Sequence, residues 1–233
     1  MEHGRWLARN NTETVWGWGT PAGRVRALRR AELIAGGAGL GPGMNALEIG
    51  CGTGLFTELL AATGARIAAV DLSPELLALA RARNLPTDQV RFLLKPFEQC
   101  GSLGPFDSVV GSSVLHHLDL DAALKRIAQL LKPGGRLSFA EPNMLNPQVF
   151  AERHFRAFFP QVSPDETAFV RWRLAGSLRR AGFKAVEIVP FDWLHPSVPP
   201  RLIAMVSRLG QILETLPGLR EFSGSLYIRA KKA

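Results

Sequence analysis

Between Asn45 and Leu137 short apolar runs alternate with longer amphipathic stretches. MNALEIG predicts a first strand, and LFTELLAATG a helix closed by a glycine. RIAAVDL predicts the next strand. SPELLALARAR then predicts a helix with Ser73 as N-cap and Pro74 in its first turn, where a missing N–H costs nothing. VRFLL and FDSVVGS predict a third and a fourth strand. DLDAALKRIAQLLKPGG predicts a helix capped by Asp119 or Asp121 and stopped by glycine, and GRLSFAEP a fifth strand. Strands that alternate with helices imply right-handed crossovers and a parallel sheet buried on both faces.

Beyond this region the pattern changes. EPNMLNPQVFAERHFRAFFPQVSPDE is proline-punctuated and aromatic-rich, too irregular for another strand-helix unit. ETAFVRWRLAGSLRRAGF predicts a helix ended by Gly182, and KAVEIVP a sixth strand. RLIAMVSRLGQILETL is strongly amphipathic, with Leu202, Ile203, Met205, Val206, Leu209, Ile212, Leu213 and Leu216 on one stripe. SGSLYIRAKK predicts a last strand. A long excursion joins it to the sixth, so an antiparallel final pair is expected. The fold class is therefore α/β: a Rossmann-like, doubly wound, seven-stranded and mostly parallel sheet with an antiparallel last strand and helices on both faces. At the other end, AGRVRALRRAELIAGG predicts a helix behind a loop, NNTETVWGWGTP, that carries Trp16 and Trp18. Those tryptophans either fold over a pocket or plug the open side of the sheet. The expected division of this one domain is an N-terminal lid and helix (1–43), a core (44–140), and substrate-side insertions with the last strands (141–233).

Composition changes this picture little. With 233 residues, 46% of them hydrophobic, the chain suits one α/β domain with a real core. Cys51 and Cys100 are too few for a disulfide framework and read as reduced thiols of a cytoplasmic protein. The N-terminus lacks an apolar core of signal-peptide length, and no apolar run suffices to span a membrane. The net charge of +8 is mostly arginine, densest in RVRALRR, and never alternates with aromatics along one element. It reads as a solvated surface, and no nucleic-acid partner is expected.

The chemistry concentrates in ALEIGCGTGLF. A P-loop needs a lysine and a hydroxyl residue after its last glycine, and neither follows Gly54. A dinucleotide loop needs G-x-G-x-x-G, but Gly50, Gly52 and Gly54 give G-x-G-x-G, and Leu55 takes the third glycine's place. Glu48, just ahead of the loop, would repel a pyrophosphate and suits an ammonium group. Asp71, ending the second strand, can accept both hydroxyls of a ribose. A nucleoside that bears an amine and no diphosphate describes S-adenosylmethionine.

LEIGCGTG, VDLSPELL, FDSVV, SVLHHL and LKPGGRL stand in the order and spacing of the class I S-adenosylmethionine-dependent methyltransferases. The chain most resembles the broad branch that includes the ubiquinone and menaquinone C-methyltransferases. The resemblance implies that the backbone of Gly50, Cys51, Gly52 and Gly54 lies beside the methionine part and the ribose, with Glu48 orienting loop and amine. It implies that Asp71 holds the ribose hydroxyls, that Leu72 packs on the adenine, and that Pro96 and Phe97 form the other adenine wall. Ser112 and Ser113 would face the methionine portion. Pro96 departs from the family pattern, which has an acidic residue there to accept from the adenine amino group.

Methyl transfer from a sulfonium is an in-line displacement that needs alignment, sometimes a base, and no metal. The histidines lack a clustered ligand pattern, so no metal is expected. His117, with His116 beside it, follows the fourth strand at the sheet's carboxyl end, and either serves as a base or packs and caps the next helix. Glu141 and Asn143 leave the fifth strand at the same edge, and either touch an acceptor or form the turns ahead of Pro142 and Pro147. Tryptophan, phenylalanine and leucine in the variable segments favour a small acceptor that is apolar, aromatic or lipid-like. Other readings stay open: a non-catalytic cofactor-binding protein, a nucleic-acid methyltransferase, or a nicotinamide-dependent oxidoreductase. The amphipathic RLIAMVSRLGQILETL allows a cover for the sheet, a homodimer surface or a peripheral membrane contact.

Overall fold

The computed structural model describes residues 12–155 and 166–233. Segments 1–11 and 156–165 lie outside the described residues, and with them part of the expected N-terminal unit and much of the aromatic, proline-punctuated run. Where a tryptophan-bearing loop is expected, Thr12–Val15 makes a single helical turn (α1), closed by the Trp16 N–H on the Thr12 carbonyl at 2.9 Å. Four residues are too few to show a helical period, so the sequence carries no sign of this turn. Helix α2 (Pro21–Ala38) begins with Thr20, whose hydroxyl accepts from the Gly23 N–H at 2.9 Å, and ends on a left-handed Gly39.

The alternating region builds β1 (Asn45–Ile49), α3 (Leu55–Ala61), β2 (Arg66–Asp71), α4 (Pro74–Arg81), β3 (Val90–Leu94) and β4 (Phe106–Ser112). Ser73 caps α4 through the Leu76 N–H at 3.2 Å, as its position predicts. Helix α5 (Leu120–Leu130), capped by Asp119 through the Ala122 N–H, stops well before the glycines expected to stop it. Pro133 bars Lys132 from helical geometry, so the chain turns extended at once. Leu131–Pro142 is β5, whose pairing with β4 slips from Phe106↔Leu131 to Ser108↔Arg136 across that Lys-Pro-Gly-Gly run.

The irregular region holds a further helix, α6 (Pro147–His154), nucleated by Asn146, whose side-chain oxygen accepts from the N–H of Gln148 and of Val149. Helix α7 (Arg171–Arg180) starts later than its periodicity suggests. Phe169 is drawn away into backbone bonds with Pro142 and Met144 beyond the end of β5. β6 (Phe183–Phe191), α8 (Ile203–Thr215) and β7 (Ser225–Lys232) complete the described chain.

The seven strands lie in the order β3-β2-β1-β4-β5-β7-β6. All are parallel except β7, which runs antiparallel to both β5 and β6. Alternate strand residues face opposite layers. Val109, Leu137, Phe139, Leu226 and Ile228 pack against α5 and α7 through Leu124, Ile127, Leu174 and Leu178. Val110, Ala140 and Tyr227 pack with Ile34 of α2, Leu60 of α3 and Leu77 of α4 on the other face. The carboxyl ends of the parallel strands therefore share one edge, and β7 starts from that same edge.

Helix α8 sits on the excursion between β6 and β7. It is anchored by Gly210, which lies so close to Trp193 that a Cβ there would come within 2.9 Å of the indole's own Cβ. Arg29 of α2 pairs with Glu214 of α8, and Arg26 with Asp192 at 2.8 Å. Much of the α8 apolar stripe nevertheless faces outward. Among the described residues no helix is long and apolar enough to cross a membrane.

The contact that seats α2 on the sheet is glycine-dependent. A Cβ on Gly37 would stand 2.1 Å from the Tyr227 hydroxyl and 2.7 Å from the Ser138 hydroxyl. Helix propensity favours Gly37→Ala by about 1 kcal/mol, whereas overpacking a buried contact costs about 1–3 kcal/mol. The clash wins, and Gly37→Ala should lower Tm by up to about 8 °C in thermal denaturation. An unchanged Tm would show that Tyr227 yields freely.

Candidate functional site

The turn after β1 takes a path that glycine makes possible. Gly50, Gly52 and Gly54 have φ of +68°, +53° and +76°, in the left-handed region that side chains disfavour. The Gly50 and Cys51 N–H groups both reach the Val70 carbonyl of β2, at 2.9 and 3.1 Å. A Cβ on Gly50 would meet Val114 at 2.5 Å, so the loop is pressed against the turn that follows β4. Buried Cys51 is no nucleophile here, because burial, with Glu48 and Asp71 adding to it, pushes its thiol far above the ordinary range.

Two carboxylates flank the loop. Asp71 accepts from the Gly52 N–H through Oδ2 at 2.8 Å and from the Ser73 N–H through Oδ1 at 2.9 Å. Each oxygen keeps acceptor capacity for a further donor. Glu48 is buried within β1, and its Oε2 has no hydrogen-bond partner among the described residues. Burial pushes its pKa up to about 7, and the Asp71 charge adds to the rise. A buried carboxylate with one oxygen unserved suits a cationic ligand, while Gly52, Thr53 and Gly54 of the loop are themselves buried, Gly52 beneath Trp16. The residues present therefore fit an amine-bearing nucleoside.

The other predicted cofactor positions gather along the same edge. Leu72 stands 63% exposed after Asp71. Pro96 leads a tight helical turn (Phe97–Leu103) in which Phe97 and Cys100 are buried, and the Lys95 N–H bonds the Asp71 carbonyl at 3.2 Å. Ser112 ends β4, and Ser113 takes φ +55°, a strained value for a residue with a side chain.

Both serines meet a residue that sequence reasoning read as part of a solvated charge cluster. Arg30 of α2 is only 3% exposed. Its Nη1 donates to Ser112 Oγ, Ser113 Oγ and the Ala140 carbonyl at 3.1, 3.0 and 3.1 Å, and its Nη2 to Ser225 Oγ at 2.6 Å. Its Nε has no partner among the described residues. Burial lowers its pKa to about 10, so it remains a cation at neutral pH. One signal was present in the chain: Arg30 falls on the helical stripe of Ala27, Ala31, Ile34 and Ala38, all buried.

The paired histidines separate. His116 is buried, with Nδ1 2.7 Å from Glu141 Oε2, while His117 is exposed, its ring 4.2 Å from that of His116. The other Glu141 oxygen accepts from the N–H of Val114 and of Leu115 at 3.0 and 2.9 Å. Burial alone would raise the Glu141 pKa, but His116 and these two N–H groups hold it below the usual carboxylate value. Asn143 is also buried, donating to the Glu221 and Ser223 carbonyls at 2.8 and 2.7 Å. It ties the end of β5 to the approach of β7.

The tryptophans divide likewise. Trp16 lies against Gly52, with ring atoms 3.2 Å from where a Cβ would stand. Trp18 packs edge-on to Phe56 at 5.4 Å, with the guanidinium groups of Arg26 and Arg30 at 5.1 and 5.3 Å from its ring. An ion-pair cluster unseen in the sequence fastens α1 to the loop: Arg83 pairs with Glu13 and Glu58 and donates to the Thr53 carbonyl at 2.7 Å. Among the described residues no group of three or more His, Cys, Asp or Glu side chains is placed to hold a metal ion.

The chain is similar to known methyltransferases. A methyltransferase-domain family model matches residues 47–139. A ubiquinone biosynthesis O-methyltransferase of Xanthomonas axonopodis pv. citri is 32% identical over 184 residues, covering 74% of this chain and 77% of that protein. One of the same name from Xylella fastidiosa is 37% identical over 188 residues, covering 74% and 75%. Among solved structures, a methyltransferase from Haloferax volcanii in complex with the Trm112 methyltransferase activator superposes with a TM-score of 0.67 at 23% identity, over 99% of this chain and 97% of that one. The chain belongs to the class I S-adenosylmethionine-dependent methyltransferases, and S-adenosylmethionine is its cofactor.

Proposed function

We propose that the chain transfers a methyl group from S-adenosylmethionine to a hydroxyl of a small, apolar, lipid-like acceptor. The observation that carries the donor half is the pair of carboxylates around the glycine loop, Asp71 with acceptor capacity left and Glu48 with an unpartnered oxygen. The relatives' name, ubiquinone biosynthesis O-methyltransferase, supports oxygen as the methylated atom and an apolar acceptor. The cofactor supplies a sulfonium-bound methyl group ready for in-line displacement.

In this reading the backbone of Gly50, Cys51, Gly52 and Gly54 lies along the donor. Asp71 accepts from its ribose hydroxyls, and Glu48 answers its ammonium charge. Leu72, Pro96 and Phe97 flank the adenine. Ser112 and Ser113, fixed by Arg30, border the methionine end, where the Arg30 charge offsets a carboxylate. His117 serves as base for the acceptor hydroxyl. His116 is a positioning residue, since Glu141 engages its ring and the N–H groups of the same turn. Of the described residues, 12–43 act as lid and helix, with Trp16 closing over the loop, 44–140 as cofactor core, and 141–155 with 166–233 as the acceptor side bordered by Trp18.

Three measurements test this reading. Asp71→Ala should weaken S-adenosylhomocysteine binding at least about tenfold by calorimetry, the worth of a hydrogen bond to a charged group. Unchanged affinity would remove Asp71 from the ribose site. Because Glu48 is half protonated near pH 7 and an ammonium ligand favours its ionised form, affinity should rise as pH increases through about 7 and level off above it. Below that point it should fall by up to about tenfold per pH unit, and Glu48→Gln should flatten the profile. His117→Ala should lower kcat by about 10²–10⁴ while leaving S-adenosylhomocysteine affinity near wild type. Full activity in that variant would assign the proton to another group.

A further inference from the structure

Helix α8 carries an apolar stripe that nothing described covers. Leu202, Met205, Leu209, Ile212 and Leu216 recur at alternating steps of three and four, which aligns them along one line of the helix. Each is between 37% and 57% exposed. The opposite flank is fixed to the body by Gly210 against Trp193 and by Glu214 with Arg29, so the helix cannot roll the stripe inward. The line spans roughly 20 Å at 1.5 Å per residue. It is continued by exposed Leu219 and Phe222, and the Phe222 carbonyl accepts from Asn146 at the start of α6, which exposes Phe150.

Charge decides what such a face suits. Exposed Arg201 and Arg208 border the stripe, and neither is ion-paired with a described residue. Its nearest carboxylates are taken: Glu214 by Arg29 and Glu221 by Arg171 at 2.7 Å. A second copy paired antiparallel about Leu209 would set Arg208 against Arg208 with no free carboxylate between them. An apolar line with cations beside it instead matches an anionic lipid surface, where arginine stems lie along the apolar boundary and guanidinium groups meet phosphates.

The position is functional. β6 ends at Phe191 and β7 begins at Ser225, each paired at the carboxyl edge, so the excursion bearing α8 leaves from and returns to the edge that holds the glycine loop. We propose that the α8 stripe docks this protein on anionic membrane surfaces, presenting the carboxyl edge to acceptors dissolved in the bilayer. The delivery role rests on the reading of a lipid-like acceptor; the docking itself does not.

Cosedimentation of the full chain with phospholipid vesicles tests the docking. Binding is expected to vesicles containing phosphatidylglycerol, weak binding to phosphatidylcholine alone, and a decline as salt increases. Ile212→Glu and Leu209→Glu should each weaken partitioning about tenfold or more, the worth of one buried aliphatic side chain, with S-adenosylhomocysteine affinity kept. Arg201→Glu with Arg208→Glu should remove the preference for anionic lipid. No sedimentation, or binding indifferent to all these substitutions, overturns the proposal. So does a dimer in light scattering that Ile212→Glu dissociates while vesicles are ignored. Vesicle binding as expected, with methyl transfer confined to water-soluble acceptors, would sink the acceptor reading and leave the docking intact.

Discussion

The site is organised around one guanidinium that water does not reach. A cation taken out of solvent must be resolvated by protein oxygen or it unfolds its surroundings. Arg30 obtains that oxygen from three strands at once: the two serines that end β4, the Ala140 carbonyl of β5 and the Ser225 hydroxyl at the start of β7. The N-terminal helix is thereby clamped to the sheet edge where chemistry is expected. The same bonds hold Ser113 in a backbone conformation it would not adopt alone. Among the described residues no carboxylate bonds the guanidinium; Asp192 and Glu141 act on it only through space.

The buried carboxylates of this edge have opposite histories. Glu141 is satisfied on both oxygens, by two backbone N–H groups and an imidazole, and its proton is correspondingly easy to lose. Glu48 is buried to a similar degree with one oxygen unserved, and burial keeps its proton on to about pH 7. The first arrangement is complete without a ligand and reads as architecture. The second keeps an oxygen that no described residue serves, and it is this oxygen that the proposed ammonium contact would use.

The local rules were legible where one short segment decides the outcome. The alternation through β4 and the Ser73 and Asp119 caps follow from nearest-neighbour chemistry, and the antiparallel β7 from the long excursion that precedes it. The start of β5 differs from expectation because the glycines of Lys-Pro-Gly-Gly are expected to end the helix, whereas Pro133, directly before them, already bars Lys132 from it. Helix α6 was hidden because its signal is a single cap, Asn146, within an otherwise irregular run. Arg30 reads as solvated because arginine usually is, although it shares the apolar stripe of Ala27, Ala31, Ile34 and Ala38 that the fold buries. For α8 the stripe itself was plain, but periodicity gives a direction and not a neighbour, so its outward half became visible only in the assembled fold.

The placement of β7 has a consequence for the order of events during synthesis. β6 bonds to no strand but β7 among the described residues, yet it leaves the ribosome first and must wait through the whole α8 excursion for its partner. Until then the strand is an open edge and β5 has one vacant side, the situation in which nascent chains invite wrong pairing. Helix α7 packs against β6 through Leu174 and Leu178 and is available earlier, so it can shelter one face of that strand in the interval. Vectorial translation thus builds β1 to β5, the proposed cofactor half, well before the proposed acceptor half can close. A stalled chain would expose a nearly finished donor cradle with its far wall missing.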